Sequence, residues 1–394
     1  MDTSTLAWLL TPEGQALLAE AESRYTDVVG TRPANLELKV GADLRRDHAA
    51  DHVAAALSQV DLRRRAVAKF GDDAARMYWT PDGLEQATRR SVAEHRAGRL
   101  RAAGMETLID LGCGVGGDLV AAARAGLTVV GIDIDPVRVA IAQANLAALG
   151  LGGAVAERDA TNIDLSPFDV AYADPARRSG RGRTFNPDDW SPPWTLIEQL
   201  FARDSCVKVA PGIPHERIPD GVEGEWVSDH GEVKEAALWS GRLSSTRRRA
   251  TVIGHGGLAT LTDEDARSDV VGPMSDYLYE PDGAVIRAGL VQAVAAGVNG
   301  ALIDRHIAYV TSPDAFLTPF AKTYEVLDEL PYRTKALRAA LRERDIGRLT
   351  IKKRGVAVVP ETLRRELAPQ GDNEGTIVMS RADGEGRCWL VRPF

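Results

Sequence analysis

Cysteine is scarce in this chain of 394 residues. The three cysteines, Cys113, Cys206 and Cys388, lie far apart and form no CxxC pair. This usage argues against a disulfide framework or a zinc site and is typical of a reducing cytosol. The seven histidines show no ligand spacing either, because His48 and His52 are one helical turn apart without a third ligand beside them. We therefore expect no metal.

Long hydrophobic runs are missing as well. The longest uncharged stretch lies between Arg287 and Asp304 and is too short to span a bilayer. The opening MDTSTLAWLL has a short apolar run with no basic residue before it, which does not resemble a signal peptide. We expect a cytoplasmic protein with no membrane role.

Basic residues are fewer than acidic ones, and the net charge of −8 speaks against nucleic acid as a partner. The distribution is uneven, however. From Arg333 to Arg365, eleven Lys and Arg stand against three Asp and Glu, a local net charge of +8 that leaves −16 for the rest of the chain. Such asymmetry is typical either of an interaction surface or of a solvated helix face, and both interpretations stay open here.

The spacing of apolar residues changes along the chain, whose length predicts two or three domains. Residues 1–97 show helical spacing, whereas from residue 98 short β-rich runs alternate with helical segments. This rhythm predicts an α/β fold with βαβ units and a mostly parallel sheet over residues 98–322, with an antiparallel edge after Ala210. The predicted parallel strands are Leu108–Leu111, Thr128–Ile134, Ala154–Arg158, Val170–Ala173 and Cys206–Ala210.

The last section, residues 323–394, has the pattern of a small α/β module. It consists of a basic helix, a strand, a second helix and two strands joined by a turn at Asp383–Gly386. Residues 255–330, just before and into this section, show no clear pattern.

The strongest signal of a ligand site is LIDLGCGVGGDL, residues 108–119. Gly112, Gly114 and Gly117 satisfy the dinucleotide-binding spacing, and Asp133 ends the next predicted strand. On this count alone, a nicotinamide dinucleotide stays possible.

Acidic residues at further strand ends favour a different ligand. Asp110 precedes the first glycine by two residues, where a carboxylate would repel a pyrophosphate but can meet the amino group of S-adenosylmethionine. Asp159 and Ala160 follow the third strand, and Asp159 can accept a hydrogen bond from an adenine amino group. Asp174 and Pro175 follow the fourth strand and face the same crevice above the carboxyl ends of the sheet.

These four strand ends, in order and at βαβ spacing, resemble the motifs of class I S-adenosylmethionine-dependent methyltransferases. The resemblance implies a Rossmann-like core with a mostly parallel seven-stranded sheet. It also implies a set of cofactor-binding residues, namely Asp110, Gly112, Gly114 and Gly116 around the methionine part, Asp133 on the ribose hydroxyls, and Asp159 with Ala160 near adenine.

The segment ADPARRSGRGRTF, residues 173–185, resembles the catalytic motif of the amino-methylating members, which is Asp, Asn or Ser, two prolines and an aromatic residue. Asp174 and Pro175 match, but Ala176 and Arg177 replace the second proline and the ring. The resemblance implies that the acid and a backbone carbonyl accept hydrogen bonds from a target amine, so that the rate gain comes mainly from orientation.

Substrate contacts are expected from the loop that follows. A guanidinium can stack on a base and pair with phosphate, and Phe185 or Trp190 can supply a ring. A surface loop of arginines bonded to nearby carboxylates is the alternative. The expected substrate-binding residues of this loop are Arg177, Arg178 and Phe185.

Residues 69–97 resemble the segment that precedes the core in trimethylguanosine synthase-like RNA methyltransferases. There a Trp and a Thr-Pro lie near the cofactor, and Trp79, Thr80 and Pro81 are the matching positions. A helix that merely packs Trp79 in a core explains the pattern equally well. Lys208, on the fifth predicted strand, is interpreted as part of a structural ion pair.

Residues 323–394 resemble the THUMP-like domain that some bacterial methyltransferases carry. THUMP domains are associated with RNA binding. Lys352, Lys353 and Arg354, at a predicted strand end, are therefore expected to contact phosphates.

The sequence as a whole predicts methyl transfer to an exocyclic amine of an RNA base in tRNA or rRNA, with guanine N2 as the first choice by resemblance. Two alternatives stay open: a methyltransferase of a small metabolite or protein, and an RNA-binding protein whose methyltransferase core no longer reacts. A nicotinamide-dependent oxidoreductase is disfavoured by Asp110.

Overall fold

The computed structural model describes residues 1–26, 36–175, 178–179, 182–183 and 193–394. They divide into two compact units. The first consists of Met1–Val209 and Leu238–Ser244, and the second of Ala210–Ala237 and Ser245–Phe394. None of the helices in the described part of the chain has the length and hydropathy needed to cross a bilayer.

The first unit begins with helices, as the apolar spacing predicts. In its described part, six α-helices precede the first strand, and some of them start at local capping signals. Thr80, for example, accepts a hydrogen bond from the backbone N–H of Gly83 at 3.0 Å, and Pro81 occupies the first helical position. The helices are α1 (Thr3–Leu9), α2 (Pro12–Thr26), α3 (Leu36–Leu44), α4 (Ala50–Phe70), α5 (Pro81–Gln86) and α6 (Arg90–Ala102).

Five parallel strands form the sheet of the first unit, in the spatial order third, second, first, fourth and seventh of the chain. The predicted strands agree with the observed ones to within one residue at each end. The strands are β1 (Thr107–Leu111), β2 (Thr128–Asp133), β3 (Ala154–Glu157), β4 (Val170–Ala173) and β7 (Ser205–Val209), and the helices between them are α7 (Gly117–Arg124), α8 (Pro136–Ala148) and α9 (Trp194–Leu200). A short antiparallel pair, β5 (Arg178–Ser179) and β6 (Gly182–Arg183), follows β4 in the chain.

The sheet that contains β1 has nine strands rather than the expected seven, because four further strands follow the last βαβ unit. Those strands are β8 (Glu223–Asp229), β9 (Glu232–Ser240), β10 (Arg248–Gly254) and β11 (Gly257–Thr262). The antiparallel arrangement expected after Ala210 holds for β10 and β11 but not for β8 and β10, which pair in parallel. Parallel pairing needs a long connection, and β9 lies within the one that joins these two strands.

A second sheet of seven strands lies wholly in the second unit. Its order is β13-β14-β12-β15-β18-β17-β16, and only β16 and β17 pair in parallel. The strands are β12 (Tyr277–Pro281), β13 (Ala301–Leu302), β14 (Val310–Ser312), β15 (Ala321–Leu330), β16 (Ile346–Arg354), β17 (Asn373–Ala382) and β18 (Glu385–Pro393), and the helices are α10 (Gly283–Ala288), α11 (Val291–Gly297), α12 (Thr334–Glu343) and α13 (Pro360–Leu367).

The C-terminal module begins with β15, a strand that the sequence pattern did not predict, and then has the predicted order of elements from α12 to β18. Its last turn is the predicted one. Asp383 and Gly384 both have positive φ angles, of 50° and 77°, as the two-residue turn between antiparallel strands requires. β15 pairs with β12, so the module shares its sheet with the preceding segment, for which the sequence shows no clear pattern. The domain limits expected at residues 97/98 and 322/323 stay a prediction.

Helices α12 and α13 cover one face of this sheet. Leu337 and Leu341 of α12, and Leu363 and Leu367 of α13, are buried in one apolar cluster together with residues of β16 to β18. This packing fixes which side of each helix faces solvent.

Candidate active site

The loop after β1 provides an open stretch of backbone. Gly112 and Gly114 have φ angles of 98° and 56°, in the region that favours glycine. A methyl group placed on either Cα atom would meet no heavy atom of the protein within 4 Å. The backbone therefore faces space that a ligand can occupy.

Gly116 has a different local reason to be glycine. Its φ is also positive, at 82°, but an added Cβ would lie 3.1 Å from the Cβ atom of Ala142. Ala142 belongs to α8, and Gly116 directly precedes α7, so the small residue allows these helices to pack. The expected contact of Gly116 with a cofactor stays a prediction.

Asp110, on β1, is a buried carboxylate whose Oδ1 atom has no hydrogen-bond partner in the described structure. Burial raises its pKa well above the usual range, and the carboxylates of Asp118 and Asp174 raise it further. Arg96 opposes this shift. An unsatisfied acceptor of this kind is costly, and a donor supplied by a ligand would remove the cost.

Arg96 is itself largely buried and links two elements around this carboxylate. It forms an ion pair with Asp118 of α7, and its guanidinium lies 4.4 Å from the ring centroid of Tyr172 on β4. The sequence alone did not identify this cation, because nothing in its helical context distinguishes it from the neighbouring arginines of α6.

Asp133, at the end of β2, holds the glycine loop by a hydrogen bond. Its Oδ2 accepts the backbone N–H of Gly114 at 3.0 Å, and its Oδ1 accepts that of Asp135 at 3.0 Å. A carboxylate has about four acceptor positions, so two remain for a ligand. Ile134, the next residue, leaves 63% of its surface exposed and was not singled out from the sequence.

Asp159 and Ala160 follow β3, which is the neighbour of β2 in the sheet. Asp159 is exposed and caps the short 3-10 turn Ala160–Asn162. Its Oδ1 accepts hydrogen bonds from the backbone N–H of Thr161 at 2.9 Å and from the Thr161 hydroxyl at 2.8 Å. These bonds lower the pKa of Asp159, and the expected adenine contact stays a prediction.

Asp174 and Pro175 follow β4, and Asp174 forms an ion pair with Lys208 of β7. The Lys208 Nζ atom lies 2.7 Å from Asp174 Oδ2 and also donates to the Thr88 hydroxyl at 3.2 Å. The Asp174 side chain is 36% exposed. One carboxylate oxygen is thus fixed by a cation, while Oδ1 makes no hydrogen bond to the residues that the structure describes. The predicted ion pair of Lys208 is observed, but its partner was not predicted.

Three residues proposed for substrate contact, Arg177, Phe185 and Trp190, lie outside the described residues. Arg178 begins β5.

Trp79 is a core residue. It is fully buried, its backbone N–H donates to Gln59 Oε1 at 3.0 Å, and its ring centroid lies 4.6 Å from that of Phe70. Thr80 and Pro81 serve as the start of α5. The core-packing interpretation therefore accounts for this motif.

The N-terminal helices nevertheless reach the glycine loop through Asn145 of α8. This buried amide accepts the backbone N–H of Tyr78 at 2.7 Å and donates to the carbonyl of Val115 at 2.8 Å. The segment before the sheet thus helps to hold the loop in place.

Residues 108–176 match a family model described as a methyltransferase domain. Two proteins named as uncharacterized S-adenosylmethionine-dependent methyltransferases, from Mycobacterium tuberculosis strains CDC 1551 and H37Rv, are 38% identical to this chain over 331 residues. The match covers 81% of this chain and 90% of theirs. The chain is an S-adenosylmethionine-dependent methyltransferase.

The methyltransferase shares its fold with a solved structure from Porphyromonas gingivalis W83 that is provisionally assigned as a methyltransferase. The TM-score is 0.71 at 22% identity, over 96% of this chain and 98% of that one. Residues 321–393 match a THUMP domain-like family, and residues 2–66 match a domain of unknown function. The predicted class I fold, cofactor and THUMP-like region are confirmed.

In the THUMP-like region of the methyltransferase, the three expected phosphate contacts do not form one group. Lys352 lies 2.6 Å from Glu280 Oε2 and 5.4 Å from the ring centroid of Tyr324, and Arg354 lies 5.1 Å from that of Tyr309. Lys353 is exposed and points to the other face of the strand, since side chains alternate. The expected contacts of these three residues with phosphates stay a prediction, and Glu280 offsets the charge of Lys352.

Proposed function

We propose that the enzyme transfers a methyl group to an exocyclic amine of an RNA base, with Asp174 as the residue that binds the amine. The observation that supports this proposal is the hydrogen bonding of the two Asp174 carboxylate oxygens. Lys208 holds one of its oxygens, whereas the other makes no hydrogen bond within the described structure, and the side chain is partly exposed at the end of β4.

The cofactor, when bound, supplies an electrophilic methyl group on a sulfonium ion. The orphan oxygen of Asp110 fits a role as acceptor for its amino group. The open backbone at Gly112 and Gly114 fits close approach of its methionine part. The residues proposed for the nucleoside are Asp133 for the ribose, and Ile134, Asp159 and Ala160 for adenine.

Asp174 would orient the acceptor rather than act as a strong base. Its Oδ1 accepts a hydrogen bond from the amine N–H, so the nitrogen lone pair points along a fixed direction. Lys208 restrains Oδ2, which limits rotation of the carboxylate. The hydrogen bond to this fixed carboxylate therefore aligns the amine nitrogen with the methyl group of the cofactor. After methyl transfer, the amine loses a proton to solvent.

RNA is favoured as the substrate class by the THUMP domain-like match and by the local charge of +8 between Arg333 and Arg365. Guanine N2 in tRNA or rRNA is the first choice because residues 69–97 resemble trimethylguanosine synthase-like RNA methyltransferases and residues 173–185 resemble the motif of the amino-methylating members. Arg177, Arg178 and Phe185 are proposed as contacts to the base and its phosphates.

The test is to incubate the enzyme and methyl-labelled cofactor with total RNA, total protein and a metabolite fraction. We expect label in RNA. Asp174→Ala is expected to abolish transfer while S-adenosylhomocysteine affinity stays within a few-fold of wild type. Asp164→Ala, which removes an exposed carboxylate from a turn of the same unit, is the matched control and should retain activity.

Each other outcome contradicts a defined part of the proposal. Label in protein or metabolites would replace RNA as the substrate class. Cofactor binding without any transfer would identify a core that no longer reacts. Activity that survives Asp174→Ala would show that the assigned active site is wrong.

A further inference from the structure

Two groups of different character stand out among the eleven cations between Arg333 and Arg365. One group is neutralised by carboxylates within the second unit. Arg348 pairs with Glu374 at 2.8 Å, Lys352 pairs with Glu280 at 2.6 Å, and Arg344 pairs with Asp328. These cations stabilise the fold and offer little charge to a partner.

Helix α12 carries the other group. Lys335, Arg338 and Arg342 follow one another at spacings of three and four residues, which place them along one side of the helix, and Arg333 directly precedes its first turn. Leu337 and Leu341 are buried against the sheet, so this side faces away from the core. We call these four residues the α12 stripe. No member has a carboxylate partner among the described residues.

The α12 stripe destabilises the folded protein when no partner is bound. Like charges one helical turn apart repel by about 0.2–0.5 kcal/mol per pair. Arg333 and Lys335 lie at the helix N-terminus, where the helix dipole is positive and an acidic residue would be favourable, yet the first turn has none. A bound polyanion would remove both costs.

Arg338 adds an independent observation. One of its terminal nitrogens donates to the backbone carbonyl of Glu366 in α13, which holds the guanidinium in place. Its Nε atom is buried and has no hydrogen-bond partner in the described structure. Because Nε is buried, a phosphate contact must come from the terminal nitrogens, whose position the contact with Glu366 restrains in advance.

We propose that the α12 stripe is the surface of the second unit that binds the phosphate backbone of RNA. The assignment rests on the proposed function for its choice of RNA over other polyanions. It moves the expected phosphate contact from Lys352 and Arg354, which pack against tyrosine rings, to the solvent side of α12.

The test compares two full-length variants that each remove three positive charges from the second unit. The stripe variant is Arg333→Gln, Lys335→Gln and Arg342→Gln, which leaves the Arg338 contact to Glu366 intact. The control variant is Arg344→Gln, Arg348→Gln and Arg387→Gln, whose cations pair with Asp328, Glu374 and Glu329. Thermal melts and S-adenosylhomocysteine binding report whether each variant is folded.

Binding of a fluorescein-labelled RNA hairpin is measured by anisotropy over a range of KCl concentrations. Each lost phosphate contact lowers the slope of log affinity against log salt by roughly 0.7–0.9, so the stripe variant should lose roughly 2–3 in slope. The slope of the control variant should differ from the wild-type slope by no more than about 0.9, the change expected for one phosphate contact.

Equal losses in both variants would show that the charge acts diffusely, and an unchanged slope in the stripe variant would overturn the proposal. So would wild-type protein that binds polyglutamate or phosphatidylserine vesicles, but not RNA, through the stripe. The proposed function fails separately. If RNA binds through the stripe but takes up no label, the methyl acceptor is wrong and the surface assignment stands.

Discussion

Replacing Asp110 by Asn removes the charge from a buried side chain at nearly constant volume. In the wild-type protein without cofactor, burial raises the pKa of this carboxyl well above the value of the unfolded chain, and nearby carboxylates add to the shift. The folded state therefore binds the proton more tightly than the unfolded state. Its stability decreases as pH rises from about 4 toward the folded pKa.

Asp110→Asn should remove this penalty. We expect the variant without cofactor to be more stable at neutral pH by about 1 kcal/mol or more, since an amide does not titrate and each pH unit between the folded and unfolded pKa of the carboxyl costs about 1.4 kcal/mol. A gain of 1 kcal/mol raises Tm by about 2–4 °C in a unit of this size. The difference should vanish below about pH 3, where the wild-type carboxyl is protonated in both states.

The same substitution should weaken cofactor binding, although it stabilises the protein. A hydrogen bond between a carboxylate and an ammonium group contributes about 1.5–3 kcal/mol, so the Asn variant should bind S-adenosylhomocysteine roughly ten- to hundred-fold more weakly. Methylthioadenosine lacks the amino acid part and should bind both proteins equally.

Calorimetry measures both effects, by thermal scans across pH and by titration with the two ligands. Asp164→Asn is the control, because this exposed carboxylate lies outside the proposed site and accepts the backbone N–H of Ser166. A variant that is less stable at neutral pH, with unchanged affinity for S-adenosylhomocysteine, would refute the reasoning about both the burial and the role of Asp110.

Three further predictions concern the residues around the site. Lys208→Met should lower the transfer rate at saturating acceptor by roughly hundred-fold, because misplacing the acceptor costs about that much; S-adenosylhomocysteine affinity should not change, and Lys208→Arg should restore part of the rate, whereas equal rates in all forms would exclude a positioning role. Asn145→Ala should destabilise the protein by about 2–4 kcal/mol in urea titrations, because several buried backbone groups lose partners; a loss below 0.5 kcal/mol, the usual range for surface substitutions, would contradict this. Trp79→Ala should cost about 3–5 kcal/mol in the same titrations while the folded fraction keeps its cofactor affinity, and weaker binding instead would place the ring near the cofactor after all.

The fold was predictable where local patterns are strong. Strands β1 to β4 were placed to within one residue because each is a short apolar run bounded by turn residues or helical segments. Within residues 255–330, β13 and β14 were not predictable, because they are only two and three residues long. So short a strand gains its stability from its neighbours in the sheet, and its own residues carry no periodic signal.

The sequence by itself determined which residues end the parallel strands. Parallel strands bring their carboxyl ends to one edge, so the order of motifs was enough to group Asp110, Asp133 and Asp174. Only the tertiary structure decided what each of them contacts. Lys208 lies 34 residues beyond Asp174 in the chain, and no local pattern predicts that their side chains meet at 2.7 Å.

The basic segment from Arg333 to Arg365 also shows which properties the sequence determines and which the tertiary structure decides. Its charge is a property of composition and was visible at once, but a cation is available to a partner only if no carboxylate neutralises it. Glu280, which pairs with Lys352, is 72 residues away in the chain and comes close only because β12 and β16 belong to one sheet. Long-range pairing of this kind depends on how the chain folds back on itself, and it separates the cations that stabilise the fold from those that remain exposed.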